Sequence, residues 1–453
     1  LRLDDQGLEK IVEHFQDSLK LKTHNKRLSK RFVFFVCLIS TPLMGSESPM
    51  TPSEVLGEVY AQNPELLSKR ARANAEDAAI SMHYSLSNPR IGWMREQNTT
   101  LMQQQSGAMN SWRVSQEILF PAKYFALGSM QHAKANTAHE GYLDTKLQIR
   151  QKALSHFYKL YADTQIRNLL EAQKETLREI ARIAESRRAT GSVPQQDEMK
   201  AHVEQTKIEN ELILQTQTII ESQALLNALI NREPTHKIMP IPMDLEIPAI
   251  KFPDDPISTL AAKNSKQVSQ AQFEVQEAKI SQTLANLSYL PDFVMSYQRP
   301  FGSNAPPNAF SVGIEITIPL WFFSNQMSQA QTAFYKVMET ERRLESIRRE
   351  TESGTTQLAS KVETLNKLLK IYDTALIPQS VSTLNSSRTA YSAGRVGFQE
   401  LLDAERSLYG FRIERFRHLA ALVENLTMLE RVTGISLSDL PMDGGTRETN
   451  HDD

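Results

Sequence analysis

One cysteine, Cys37, occurs in 453 residues, so no disulfide framework can hold this chain together. Glycine is scarce, at 17 positions, and the middle of the chain is rich in Gln, Glu, Leu, Ala and Lys. That balance favours long helices over a loop-rich fold. A net charge of −2 lacks the basic excess that nucleic acid or an anionic membrane surface would call for. There is no Gly-rich phosphate loop and no convincing nucleophile, base and orienting acid, so no enzyme activity is indicated. His132, His139 and Glu140 share a helical stretch, but imidazoles seven positions apart do not converge on one metal. No cofactor or metal is expected.

Long apolar runs are missing too. Phe32–Met44 is the longest mostly apolar stretch, and its thirteen residues are too few to cross a hydrocarbon core as a helix. The basic cluster Lys26–Arg31 precedes it, and Gly45, Ser46 and Ser48 follow. Basic, apolar and small segments in that order describe a secretory signal peptide, with cleavage expected around Ser46–Pro49. Cys37 would leave with it. Phe34-Phe35-Val36 is unlike the small residues of a lipid-anchor site, so lipidation is not expected. The 25 residues before Lys26 do not belong to such a signal, and Leu1 in place of Met suggests an over-extended start.

What is present is a duplicated pattern. In Ala309–Leu320, Phe310, Val312, Ile314, Ile316 and Ile318 alternate with Ser311, Gly313, Glu315 and Thr317, the period of a strand with one apolar face. Pro319 ends it, and a helical pattern runs from about Gln326 towards Gly394. Upstream, Arg90–Thr100 and Ser111–Phe120 read as two strands. In the second, Trp112, Val114, Ile118 and Phe120 alternate with polar residues. A shift of 198 places Val114 on Val312, Glu117 on Glu315 and Pro121 on Pro319; Gly191 falls on Gly394 and Val193 on Val396 at a shift of 203. Such agreement over so long a span points to an internal repeat.

Each copy carries a long helix. Pro121 to Gly191 contains no other proline, which predicts a helix on the order of 100 Å. Ile166, Leu170, Gln173, Leu177, Ile180 and Ala184 form a heptad seam, as do Leu358, Val362, Leu365, Leu369, Tyr372 and Leu376. Pro378 is expected to kink its helix. Turns at Gly191 and Gly394 return the chain as helices Gln196–Asn231 and Gln399–Thr433. The expected organisation is an N-terminal extension and signal over 1–46, a first repeat over 51–231 and a Pro-rich linker or packed belt over 232–256. A second repeat over 257–436 and a disordered tail over 437–453 complete it.

Strands of about 10 residues have the length of membrane β-strands. Four per chain cannot close a barrel, and an open edge is not tolerated in lipid. Three copies would supply twelve strands. Trp93 and Trp112 would suit an interfacial aromatic belt. Met94, Met102 and Met109 are read as gap-filling rather than as soft-metal ligands.

Several segments resemble one family. Ala390-Tyr391-Ser392-Ala393-Gly394 is followed by Glu400-Leu401-Leu402-Asp403-Ala404-Glu405. With GIEITIPL at the strand-to-helix junction and Asn63-Pro64-Glu65-Leu66, this order resembles the TolC-like outer-membrane efflux proteins over about residues 51–436. The resemblance implies a mainly α fold with membrane β: long helical hairpins and four strands per chain, closing as a homotrimer into a twelve-stranded barrel with a periplasmic α-helical tunnel. It implies a periplasmic adaptor and an inner-membrane transporter as partners. It also assigns sites. Glu400 and Asp403 match carboxylates lining the tunnel entrance, and Tyr391 matches a tyrosine that helps hold it closed. The tips around Gly191, Val193, Gly394 and Val396 would meet the adaptor. Where the family has a basic residue two positions beyond the tip glycine, Val396 stands here beside Arg395. Asp197 and Lys200 occupy the places in the first copy that match Glu400 and Asp403, so no second acidic pair is added.

The expected function is a passive exit duct. Ile118–Lys123 resembles the junction of heavy-metal efflux members, with Ala122 in place of glycine, which leans towards metal-cation or drug export over protein secretion. A type I secretion channel, a periplasmic coiled-coil adaptor, a soluble α+β protein and a secreted enzyme are the alternatives. Two hairpins joined to four membrane-length strands argue against the adaptor.

Overall fold

A computed structural model describes residues 50–441 apart from 99–106, 190, 192–193, 237–244, 246, 254–255, 303–304 and 306–307. The signal region, Met102 and Val193 therefore lie outside the described residues.

The chain enters through two short helices, α1 (Pro52–Gln62) and α2 (Pro64–Tyr84). Thr51 and Glu54 form a reciprocal capping box that satisfies two otherwise orphaned backbone donors of α1. Asn63 ends α1 and caps α2, accepting from the Leu66 N–H at 3.0 Å. Its side-chain nitrogen also donates to the Leu229 carbonyl, so one residue sets both the bend and its docking.

Strands β1 (Arg90–Asn98) and β2 (Gly107–Ile118) follow, then α3 (Pro121–Ala189) and α4 (Gln195–Ile230). After the Pro-rich segment the order recurs: α5 (Ile257–Asn264), α6 (Lys266–Leu287), β3 (Asp292–Phe301), β4 (Ser311–Thr317) and α7 (Gln326–Ile371). A π turn (Tyr372–Leu376), α8 (Ile377–Ser392) and α9 (Phe398–Thr433) complete it. α3 spans 69 residues without a break. No helix among the described residues is long and apolar enough to cross a membrane.

The seam of α3 is buried at all six heptad positions. In the second copy Leu358, Val362 and Leu369 are buried, but Tyr372 and Leu376 are only partly so. The kink anticipated at Pro378 takes the form of the π turn. Pro378 lacks an N–H and its ring would crowd the carbonyl of Thr374. The Ile377 N–H donates five residues back, to Tyr372. That wider turn inserts one residue and moves the seam by one. Continued at the original spacing, the seam would reach Ala390. Instead Ser380, Leu384 and Tyr391 turn inward. The π turn thus puts Tyr391, rather than its neighbour, into the core.

The strands form one antiparallel sheet in the order β1-β2-β3-β4. Ile91, Val114, Tyr297 and Val312 are aligned across it, as are Met295 and Ile314, and Phe293 and Ile316. One face is thus a field of aromatic and aliphatic side chains, and most of it is exposed. The other carries Arg113, Ser115, Glu117, Ser296, Gln298 and Glu315, with Arg113 paired to Glu315 and Arg90 to Glu117. The outer edges of β1 and β4 have no strand partner among the described residues. At the sheet base, Lys123 donates to Asp292 at 2.8 Å and to the Leu290 carbonyl, while Asp292 accepts from the Phe120 N–H. This ties the β2–α3 junction to the α6–β3 junction.

The tail expectation needs correction. Residues 437–441 are not disordered: Leu437 and Leu440 are buried in the main core. Ser438 bridges Ile250, and the Lys251 N–H donates to the Leu437 carbonyl. The leucines, three apart, fill core space among polar neighbours whose composition suggested a tail. Residues 442–453 lie outside the described residues.

Candidate functional site: a helical tip and entrance

Two turns define the tip. Gly191 and Gly394 have φ of +72° and +74°, the left-handed region that penalises a Cβ. The Gly394 N–H donates to the Tyr391 carbonyl and the Arg395 N–H to that of Ala390, closing the end of α8. Val396, beyond the turn, is half-buried against the tip cluster.

Tyr391 is 1% exposed. Its ring meets Phe398 edge-on at 5.7 Å, and the Arg187 guanidinium of α3 lies 4.7 Å from the ring centre. Arg187 also donates to the Tyr391 carbonyl at 2.6 Å, and the Tyr391 hydroxyl reaches Asp197 of α4 at 3.5 Å. Burial and the Asp197 carboxylate push the Tyr391 phenol above its ordinary pKa, so it stays a neutral donor. Tyr391 therefore ties the second hairpin to both helices of the first.

Glu400 and Asp403 lie on the exposed face of α9 while Leu401 and Leu402 are buried. Asp403 accepts from Gln399 at 3.0 Å and lies 3.6 Å from Arg406. Arg406 reaches further, to Glu204 of α4 at 2.7 Å. Burial opposes ionisation of Glu204, but hydrogen bonds from Lys207 and Arg406 outweigh it and hold the carboxyl below its usual range. A second tie joins Tyr409 to Thr176 of α3 at 2.7 Å.

Sequence reasoning missed Arg187, Arg406 with Glu204, and the role of Asp197. Their spacing carries no motif, since each contact joins residues about 200 positions apart. The regular recurrence of the two copies was the available signal: it lays the turn before Gly191 beside the turn before Gly394. Also missed was the apolar apron Trp321, Phe322 and Phe323, exposed directly after β4. His132 and His139 join no group of potential metal-binding side chains among the described residues.

An exposed apolar sheet face continuing into long helical hairpins defines a class: a membrane channel protein with a helical extension. Residues 257–435 match the family described as "Outer membrane efflux protein". The chain is 21% identical over 290 residues to the cobalt-zinc-cadmium resistance protein CzcC of Cupriavidus metallidurans, covering 63% of this chain and 68% of that protein. Its fold is similar to the Campylobacter jejuni CmeC outer-membrane channel, with a TM-score of 0.73 and 11% identity over 92% of this chain and 95% of the other. The open state of the Neisseria gonorrhoeae MtrE channel gives a TM-score of 0.73 at 14% identity, covering 87% and 91%. Together the family match over residues 257–435, the likeness to CzcC and the shared fold support a TolC-like outer-membrane factor, an efflux channel of the outer membrane with a periplasmic tunnel.

Proposed function

We propose that three copies of this chain close a twelve-stranded barrel over a helical tunnel and serve as the exit duct for divalent transition-metal cations. A periplasmic adaptor meets the tips at Gly191, Val193, Gly394 and Val396, and an inner-membrane transporter supplies the energy. The observation that carries this reading is the four-stranded sheet with one apolar exposed face and two edges that have no strand partner among the described residues, which lipid forbids unless neighbours close it. The recurring element order supports an internal repeat, so each protomer contributes two hairpins. The likeness to CzcC and the Ile118–Lys123 junction support metal cations as cargo.

In this assembly Glu400 and Asp403 ring the entrance, and the ties of Tyr391 to Arg187 and Asp197 hold it narrow. Six carboxylates around one axis draw cations inward, even with Asp403 partly offset by Arg406. Multivalent cations that bridge the rings should block the wild type, so the Glu400→Ala/Asp403→Ala double variant is expected to lose that block and conduct more current in planar bilayers in their presence, and to lose cation preference. A local potential of about 1 kcal/mol corresponds to roughly a fivefold change in cation enrichment. Equal reversal potentials in wild type and variant would place these carboxylates away from the pore. Cells lacking the chain should lose tolerance to cobalt, zinc and cadmium; unchanged metal tolerance with lost tolerance to organic toxicants would reject the cargo assignment.

A further inference from the structure

Glu405 lies two residues beyond Asp403 on α9 and is 0% exposed. Neither carboxylate oxygen has a well-formed hydrogen bond among the described residues; the Gln173 amide of α3 is the nearest donor and gives only a weak contact. Its own helix surrounds it with buried Leu401, Leu402 and Leu408. The polar and charged groups that face it are Gln173, in the buried seam of α3, Glu204 of α4, and Arg406 next in the chain. Arg406 is already engaged by Glu204 and Asp403, and Glu204 also accepts from Lys207. No uncommitted cation stands ready for an ionised Glu405.

A glutamine or leucine would fill this space without titrating, whereas a carboxyl without a free counter-charge costs free energy to bury and far more once charged. Its place is equally specific. It directly precedes Arg406, which is tied to Glu204, and stands one helical turn before Tyr409, which is tied to Thr176, on the same helix whose Phe398 packs on Tyr391. Charge appearing here acts directly on the packing of α9 against α3 and α4.

We infer that Glu405 is a proton-operated wedge: neutral, it lets α9 pack against the first hairpin, and ionised, it loosens that packing and opens the entrance. This rests on the channel reading above and adds a means of regulating it. Burial pushes the carboxyl up to about 7; Gln173 and Arg406 pull the other way, and the Glu204 charge adds to the rise. With the pKa raised in the packed state, the stabilisation from neutral Glu405 is complete below the ordinary carboxylate range and is lost as pH climbs through about 7. Acid therefore favours the packed entrance and mild alkali the open one.

The test compares purified wild type with Glu405→Gln between about pH 5.5 and 8.5. Planar-bilayer recordings read opening, and deuterium uptake of residues 398–410, corrected for intrinsic exchange, reads α9 itself. Wild type is expected to rise in both as pH passes about 7, the ionised-to-neutral ratio changing about tenfold per pH unit. Glu405→Gln should stay at the acid level throughout. Superimposable profiles would overturn the inference. So would failure of Glu405→Gln to assemble at pH 6, because the amide copies the neutral acid. A wild-type preparation that passes no current at any pH refutes the channel reading instead, and deuterium uptake still decides the role of Glu405.

Discussion

Arginine in place of Ile314 is expected to abolish accumulation of the protein in the outer membrane. Ile314 lies mid-strand in β4, opposite Met295 on the apolar face, and is 66% exposed. On a lipid-facing strand a guanidinium costs about 2–4 kcal/mol near the bilayer midplane. A closed trimer would bear that cost three times, against a folding balance of only about 5–15 kcal/mol for a typical domain. Ser311→Arg tests the opposite face of the same strand. Its side chain projects with Gly313 and Glu315, where water would hydrate the charge, so this variant should reach the membrane in near-normal amounts. Quantifying both variants in outer-membrane fractions separates the faces. Equal accumulation of Ile314→Arg and wild type would show that this face does not meet lipid.

The second large effect concerns the C-terminal latch. Arg150 and Glu430 are 1% and 0% exposed and pair at 2.7 Å. Arg150 also donates to the Pro441 and Leu440 carbonyls, while Glu430 accepts from the Leu437 N–H and the Ser438 hydroxyl. Glu430→Ala leaves a buried guanidinium without its counter-charge and frees the segment that it pins. Breaking such a pair from one side costs about 3–5 kcal/mol. Replacing both partners with apolar residues removes the stranded charge, so Arg150→Met/Glu430→Leu should recover much of the loss. Melting of the helical circular-dichroism signal in detergent reads both. A single variant no less stable than the double would mean that the pair does not hold the latch.

Much of this architecture was legible in the sequence because two periodicities run unbroken for long stretches. Alternation from Phe310 to Ile318 fixes which face of β4 is apolar, and heptads from Ile166 to Ala184 fix the buried seam of α3. Legibility stops where periodicity changes within an element. The π turn before Pro378 shifts the seam by one residue, which no count at constant spacing can supply. The latch was read as a polar tail because its burial depends on Arg150, almost 300 positions away. At the tip the motif marks Tyr391, but Arg187 and Asp197, which hold it, arrive from the other hairpin. Glu405 stands in that motif with no role legible in the sequence, since burial and the lack of a counter-charge are properties of three helices meeting.

The proposed barrel, acidic rings and entrance all depend on closure by oligomerisation, and the mass of the detergent-extracted complex tests it most directly. Native mass spectrometry of protein taken from outer membranes should find one species at three times the mass of the processed chain. A stable monomer of the same protein, extracted from the same membranes, would contradict the account, because two unpartnered strand edges cannot persist in lipid.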